Sequence, residues 1–194
     1  SHESRAFGDH KDESVDPKKM ILTPYHPDLP EMRNTYAKYS RAISKMDSLV
    51  GQAIENLKQD NLYEDTIIVY NSDHGGVLAR SKRFLYSSGI HCPLIVRIPA
   101  KWKHLYPKGK KPGSTIDRIV SFIDMPKTWV SLTGAEMKDH FQGRIFLGPD
   151  TEPESNYHFS WRERADERFD NVRVMRDEQF AYHKNYAPFA PNGQ

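Results

Sequence analysis

At 194 residues the chain is long enough for one ordinary domain, or for one domain with a small appendage. Its 37% hydrophobic and 28% charged residues fit a globular protein with a modest core, and a piece cut from a larger domain would leave part of that core uncovered. A net charge of +2, with both signs mixed along the length, excludes the concentrated basic face of a nucleic-acid binder.

No run approaches the roughly eighteen apolar residues of a membrane helix, so no membrane partner is expected. No signal peptide opens the chain, which for a fragment says nothing of where the parent protein lives. The single cysteine, Cys92, excludes an internal disulfide and a cysteine zinc cluster. It precedes the apolar run Pro93-Leu94-Ile95-Val96, where a buried structural thiol is the default expectation.

Residues 1 to about 34 are polar and spaced by Pro17, Pro24, Pro27 and Pro30, which predicts an extended surface loop. Tyr36, Tyr39, Ile43, Met46, Val50, Ala53 and Leu57 then recur every three or four residues, predicting an amphipathic helix over roughly 33–60. The β-branched run Thr66-Ile67-Ile68-Val69-Tyr70 and the run Pro93 to Ile98 read as buried strands. Helix, short loop and buried strands together predict an α/β fold with a mixed, largely parallel sheet.

Lys108-Gly109-Lys110-Lys111-Pro112-Gly113 reads as a solvated loop, and 116–132 as a segment that becomes a helix ending at Gly134. Beyond residue 150 the pattern changes. Tyr157 to Trp161 reads as a strand, and Asn171–Arg176 and Gln179–Lys184 flank Asp177-Glu178 as a hairpin, predicting a small antiparallel sheet. The expected division is therefore 1–150 and a subdomain at 151–194.

The most informative local feature is Asn71-Ser72-Asp73-His74-Gly75-Gly76, directly after a predicted strand. Ligands of open α/β sheets bind beyond strand carboxyl ends, so a site is expected there. Asp73 offers hard oxygens and His74 an imidazole nitrogen, while Gly75 and Gly76 permit a tight turn and close approach to a ligand. A polar turn with Asp73 as a cap is the competing reading. Lys82 follows within ten residues and has the charge to hold a tetrahedral oxyanion, or it is a plain surface lysine.

Taken in order, several motifs resemble the sulfatase family of the alkaline phosphatase superfamily. They are Met46-Asp47-Ser48-Leu49-Val50-Gly51, Thr66 to Val69, Ser72-Asp73-His74-Gly75, Lys82-x-x-x-Tyr86, and Pro93 to Pro99. Ser121 to Thr128, Gln142-Gly143-Arg144, Trp161 to Arg168 and Asn185-Tyr186 continue the pattern nearly to the end of the chain. The resemblance implies an alkaline-phosphatase-like sandwich and a sulfuric ester hydrolase acting on a sulfated carbohydrate. It implies Asp73 and His74 as metal ligands and Lys82 as a sulfate contact. It also implies His2, in Ser1-His2-Glu3-Ser4-Arg5, as a sulfate ligand or leaving-group acid, unless Ser1-His2 is left over from cloning.

Calcium is the metal the family implies, although the nitrogen of His74 suits zinc or manganese better on chemical grounds. The family's formylglycine nucleophile arises from a Cys/Ser-x-Pro-x-Arg motif that is absent here, as are two early aspartate ligands. The resemblance thus implies the C-terminal part of a longer, periplasmic or secreted protein, inactive without its missing N-terminal part. Arg162, Arg164 and Arg168 form either a cationic rim for a sulfated sugar or salt bridges with Glu163, Asp166, Glu167 and Asp170. His91, Trp161 and His183 are expected to be packing residues.

Two other functions compete. A phosphodiesterase or phosphatase of the same superfamily also carries Asp-His-Gly after a strand, but needs a later His-Gly pair that does not occur. A non-catalytic remnant that binds glycans is the other.

Overall fold

The computed structural model describes residues 15–165 and 168–188, with Ala165 and Arg168 by their backbone alone. Two compact units emerge, one formed by the residues up to Glu64 with Asn71–Leu94, the other by Asp65–Tyr70 with the residues from Ile95 onward.

The first unit is built on helix α1, Pro30–Gln59. It begins a few residues earlier than the apolar spacing predicts, because Pro30 sits in the first turn, where its fixed φ and missing N–H cost nothing. The preceding segment is also less extended than expected, since Pro17–Lys19 forms a 3-10 turn capped by the Asp16 side chain. Arg33 ties this segment to the helix by donating to the carbonyls of Lys18 and Met20, both at 3.0 Å. Arg41 donates to the Val15 carbonyl at 2.9 Å. Along the predicted apolar stripe, Tyr36, Tyr39, Met46, Val50 and Leu57 are half-buried, whereas Ile43 and Ala53 are exposed. A single helical turn, α2, follows at Ser87–Ile90.

Strands β1 (Ile68–Asn71) and β2 (Leu94–Arg97), which belong to the second unit except for Asn71 and Leu94, pair as a two-stranded sheet. Arg97 reaches the Thr66 carbonyl, and the Trp102 indole donates to the Asp65 carbonyl at 3.2 Å. Helix α3, Asp124–Thr133, ends at Gly134, whose φ of 68° is the left-handed conformation of a helix C-terminus.

The start of α3 is fixed by Asp124, which accepts backbone N–H bonds from Ser121 and Arg144, both at 2.8 Å. One turn on, the fully buried Thr128 hydroxyl donates to the Asp124 carbonyl and accepts from the Phe146 N–H. Ile145 and Leu147 are buried, and Phe146 packs edge-on against Trp129 at 5.5 Å. Lys127 closes the arrangement through the Glu152 carboxylate at 2.9 Å. Residues 108–113 form an exposed loop, as their charge pattern predicts.

Strands β3 (His158–Ala165), β4 (Arg168–Arg176) and β5 (Ala181–Asn185) form an antiparallel sheet in the order β3-β4-β5. The β4–β5 turn is the expected hairpin, held by the Asp177 carboxylate accepting from Gln179 and Phe180 N–H at 2.8 and 2.6 Å. Alternation puts Val174 in the interior, while Phe159, Met175 and Tyr182 align across the three strands on an exposed face. Trp161 is 68% exposed, and His91 and His183 are exposed too, so the expectation that these three residues pack in a core is corrected. Among the described residues no helix is long and apolar enough to cross a membrane.

Candidate active-site loop

Strand β1 delivers the chain into Ser72–Gly76, and local hydrogen bonds fold that loop. The Ser72 hydroxyl donates to the His74 carbonyl at 2.7 Å. The His74 Nδ1 lies 2.8 Å from the Gly75 carbonyl, which only accepts, so Nδ1 carries the proton. That choice of tautomer leaves Nε2 with its lone pair, 3.4 Å from Asp73 Oδ1. Asp73 is 86% exposed and His74 35%. The loop therefore presents a carboxylate oxygen and an imidazole lone pair side by side.

Gly75 has no positive φ, and its small size serves close approach to protein backbone. Its N–H donates to the Gly89 carbonyl at 2.9 Å, and a Cβ there would lie 1.9 Å from the Ser88 oxygen. Gly89 is equally constrained, since its own Cβ would meet the Phe84 carbonyl at 2.0 Å. The first loop is thereby locked to α2.

Lys82 joins the same assembly through its backbone N–H, which donates to the Gly76 carbonyl at 2.8 Å. It is half-buried, and its ammonium has no carboxylate partner among the described residues. Two non-glycine residues with left-handed backbone bracket it, Arg80 at φ 60° and Arg83 at φ 77°. Such conformations cost about 1–3 kcal/mol each and persist where surrounding structure enforces them.

Cys92 is half-buried, which corrects the expectation of a fully buried thiol. Burial pushes its thiol up; a hydrogen bond with Ser72 opposes this, and the Asp73 carboxylate adds to it. The thiol form is favoured, as befits a cysteine that is not a nucleophile.

The loop thus brings together Asp73, His74 and the backbone of Lys82. Arg162 and Arg164 lie in the other unit, on β3. Arg162 is engaged in an ion pair with Asp170 at 2.9 Å, the two side chains only 15% and 6% exposed. This is the kind of salt bridge the sequence offers as one of its two readings of Arg162. Arg164 is exposed, His2 lies outside the described residues, and the Arg168 side chain does too. The reading of the sequence missed the buried His26, whose only clue was its place in Pro24-Tyr25-His26-Pro27 within an apparently featureless segment.

Among the described residues no three His, Cys, Asp or Glu side chains cluster as a metal site, so two donors are what this loop offers. Their chemistry fits a divalent cation. Two electron-rich atoms 3.4 Å apart, one a lone pair fixed by a backbone hydrogen bond, form an arrangement that a shared cation stabilises.

A family profile described as Sulfatase matches residues 2–135. An ulvan-active sulfatase of Formosa agariphila is 35% identical over 171 residues, covering 88% of this chain and 27% of that protein. An N-acetylglucosamine-6-O-sulfatase of Bacteroides thetaiotaomicron is 32% identical over 131 residues, covering 66% of this chain and 22% of that protein. A solved structure in complex with its substrate D-glucosamine-2-N,6-O-disulfate superposes with a TM-score of 0.66 at 23% identity, covering 82% of this chain and 33% of that one. That likeness shows the alkaline-phosphatase-like α/β fold. The chain spans about a quarter of the length of the curated relatives it matches. With the matched profile spanning well over half of its residues, the chain belongs to the sulfatase family.

Proposed function

We propose that this chain supplies one wall of a sulfate-ester hydrolase site that acts on a sulfated carbohydrate. The observation that carries the reading is that one loop places the Asp73 carboxylate beside the His74 lone pair and bonds the Lys82 backbone to Gly76, in a member of the sulfatase family. The relatives named for ulvan and for N-acetylglucosamine-6-O-sulfate support a sugar sulfate as substrate.

Asp73 and His74 Nε2 hold a divalent cation, with calcium the family's expectation and zinc or manganese favoured by the nitrogen donor. When bound, the cation supplies Lewis-acid stabilisation of charge on the sulfate oxygens. The Lys82 ammonium, free of a carboxylate partner among the described residues, donates hydrogen bonds to those oxygens. His2 protonates the departing sugar oxygen. Formylglycine, the family's nucleophile, comes from a part of the protein beyond this chain, and the isolated chain is inactive. Residues 1–150 belong to the catalytic domain and 151–194 to a C-terminal subdomain that includes β3–β5. The protein works in the periplasm or outside the cell.

The test is sulfate release from glucosamine sulfates and ulvan by the full-length protein before and after chelation. Loss on chelation and recovery with one added cation support the reading. Turnover that is indifferent to chelation contradicts the role given to Asp73 and His74.

A further inference from the structure

A half-buried polar network centred on the buried His26, outside the Asp73–Lys82 loop, reaches the segment that carries Lys82. Thr23 Oγ1, His26 Nδ1 and the Tyr36 hydroxyl lie within 2.7–3.0 Å of one another, and the Thr23 N–H also donates to the Tyr36 oxygen at 3.2 Å. The His26 Nε2 lies 2.9 Å from the Ala79 carbonyl, an acceptor, so Nε2 carries the ring proton and Nδ1 accepts from Tyr36. Every polar atom of the imidazole is therefore used, and one of its bonds spans 53 residues of sequence.

The next residue, Arg80, is held as closely. Its guanidinium lies 5.2 Å from the Tyr25 ring and 4.7 Å from the Tyr86 ring, while the Tyr25 ring packs edge-on against His26 at 4.6 Å. The Ser88 hydroxyl donates to the Arg80 carbonyl at 2.6 Å. Arg80 and Arg83 have positive φ, so the turn that displays Lys82 is unfavourable in isolation and must be held from outside.

We propose that His26 is a positioning residue for Lys82: its bond to the Ala79 carbonyl holds the strained turn in the conformation that presents the ammonium to sulfate. The proposal rests on the sulfate-binding role given to Lys82 above.

The experiment is isothermal titration of the full-length protein with inorganic sulfate, using Lys82→Ala, His26→Ala, the double variant and His26→Gln. Glutamine keeps an N–H at the position of Nε2. The expected result is that His26→Ala weakens sulfate binding about tenfold, the scale of one lost buried hydrogen bond. In the Lys82→Ala background the same change should cost nothing further, and His26→Gln should restore most of the affinity. Tyr36→Phe, a milder change that removes the proton given to Nδ1, should give a smaller loss and serves if His26→Ala does not fold.

Unchanged sulfate affinity in His26→Ala or Tyr36→Phe, with Lys82→Ala weakened, would overturn the positioning role and leave the sulfate-binding reading intact. An equal loss with and without Lys82 would also overturn it, by showing a general structural effect. Unchanged affinity in Lys82→Ala would overturn both.

Discussion

Replacing Gly75 by alanine tests whether the Asp73-His74 loop is locked to α2 by backbone contact. The added Cβ would lie 1.9 Å from the Ser88 oxygen and 2.7 Å from the Gly89 Cα, both parts of the backbone, so no side chain can swing aside. Ordinary contact is about 3.5 Å, so Ser88 would have to retreat by roughly 1.5 Å. The Gly75-to-Gly89 hydrogen bond of 2.9 Å would not survive that shift. Overpacking of this kind costs roughly 1–3 kcal/mol and the lost bond about 1 kcal/mol, giving about 2–4 kcal/mol in all.

Gly51 is the matched control. It lies on α1 with nothing within 4 Å of its would-be Cβ, so Gly51→Ala should stabilise by about 0.5–1 kcal/mol through helix propensity. Urea denaturation of the full-length variants, followed by circular dichroism, reads both. A Gly75→Ala protein within about 0.5 kcal/mol of the parent would refute the locked-loop reasoning, since that change is the size of a neutral surface substitution.

Three further outcomes are expected. Arg162→Ala leaves the buried Asp170 carboxylate without its ion-pair partner and should destabilise by about 3–5 kcal/mol in denaturant, whereas Arg162→Met with Asp170→Leu should recover most of that. A loss of sulfated-ligand affinity without loss of stability would instead restore Arg162 to a substrate rim. Asp73→Asn should weaken calcium binding by more than about tenfold in direct titration, and unchanged binding would remove Asp73 from the donor set.

Glu152 is held below the usual carboxylate range, first by the Ile145 N–H and then by Lys127. A lowered folded value means the stabilisation is present above the ordinary glutamate value and lost as pH falls through the lowered one. The thermal midpoint should therefore fall less between about pH 6 and about pH 3 in Glu152→Gln than in the parent. An equal fall in both would show that the Glu152 carboxylate, held by the Ile145 N–H and Lys127, carries no pH-dependent stability.

Elements whose signal is local were legible in the sequence. The stripe from Tyr36 to Leu57 predicts α1, Gly134 predicts the end of α3, and Asp177 predicts the β4–β5 turn, because each depends on residues a few positions apart. Pro30 as a helix start was hidden by the prolines before it, which read as loop. The burial of His26 and the exposure of Trp161 were illegible for another reason. His26 is defined by a carbonyl 53 residues away, and Trp161 by which face of a three-stranded sheet finds cover. At the candidate site, Asp73, His74 and Lys82 were recognisable as motifs. The lone-pair geometry of His74 and the strained turn around Lys82 became visible only with the backbone in place.

The most direct measurement follows the full-length protein and its Lys82→Ala variant on a sulfated monosaccharide and on the matching phosphate ester, reading the anion released. Sulfate release by the parent protein, greatly reduced in Lys82→Ala and exceeding phosphate release, is the predicted result. Phosphate release without sulfate release, or sulfate release untouched by the loss of Lys82, would contradict the sulfate-ester site proposed for this loop.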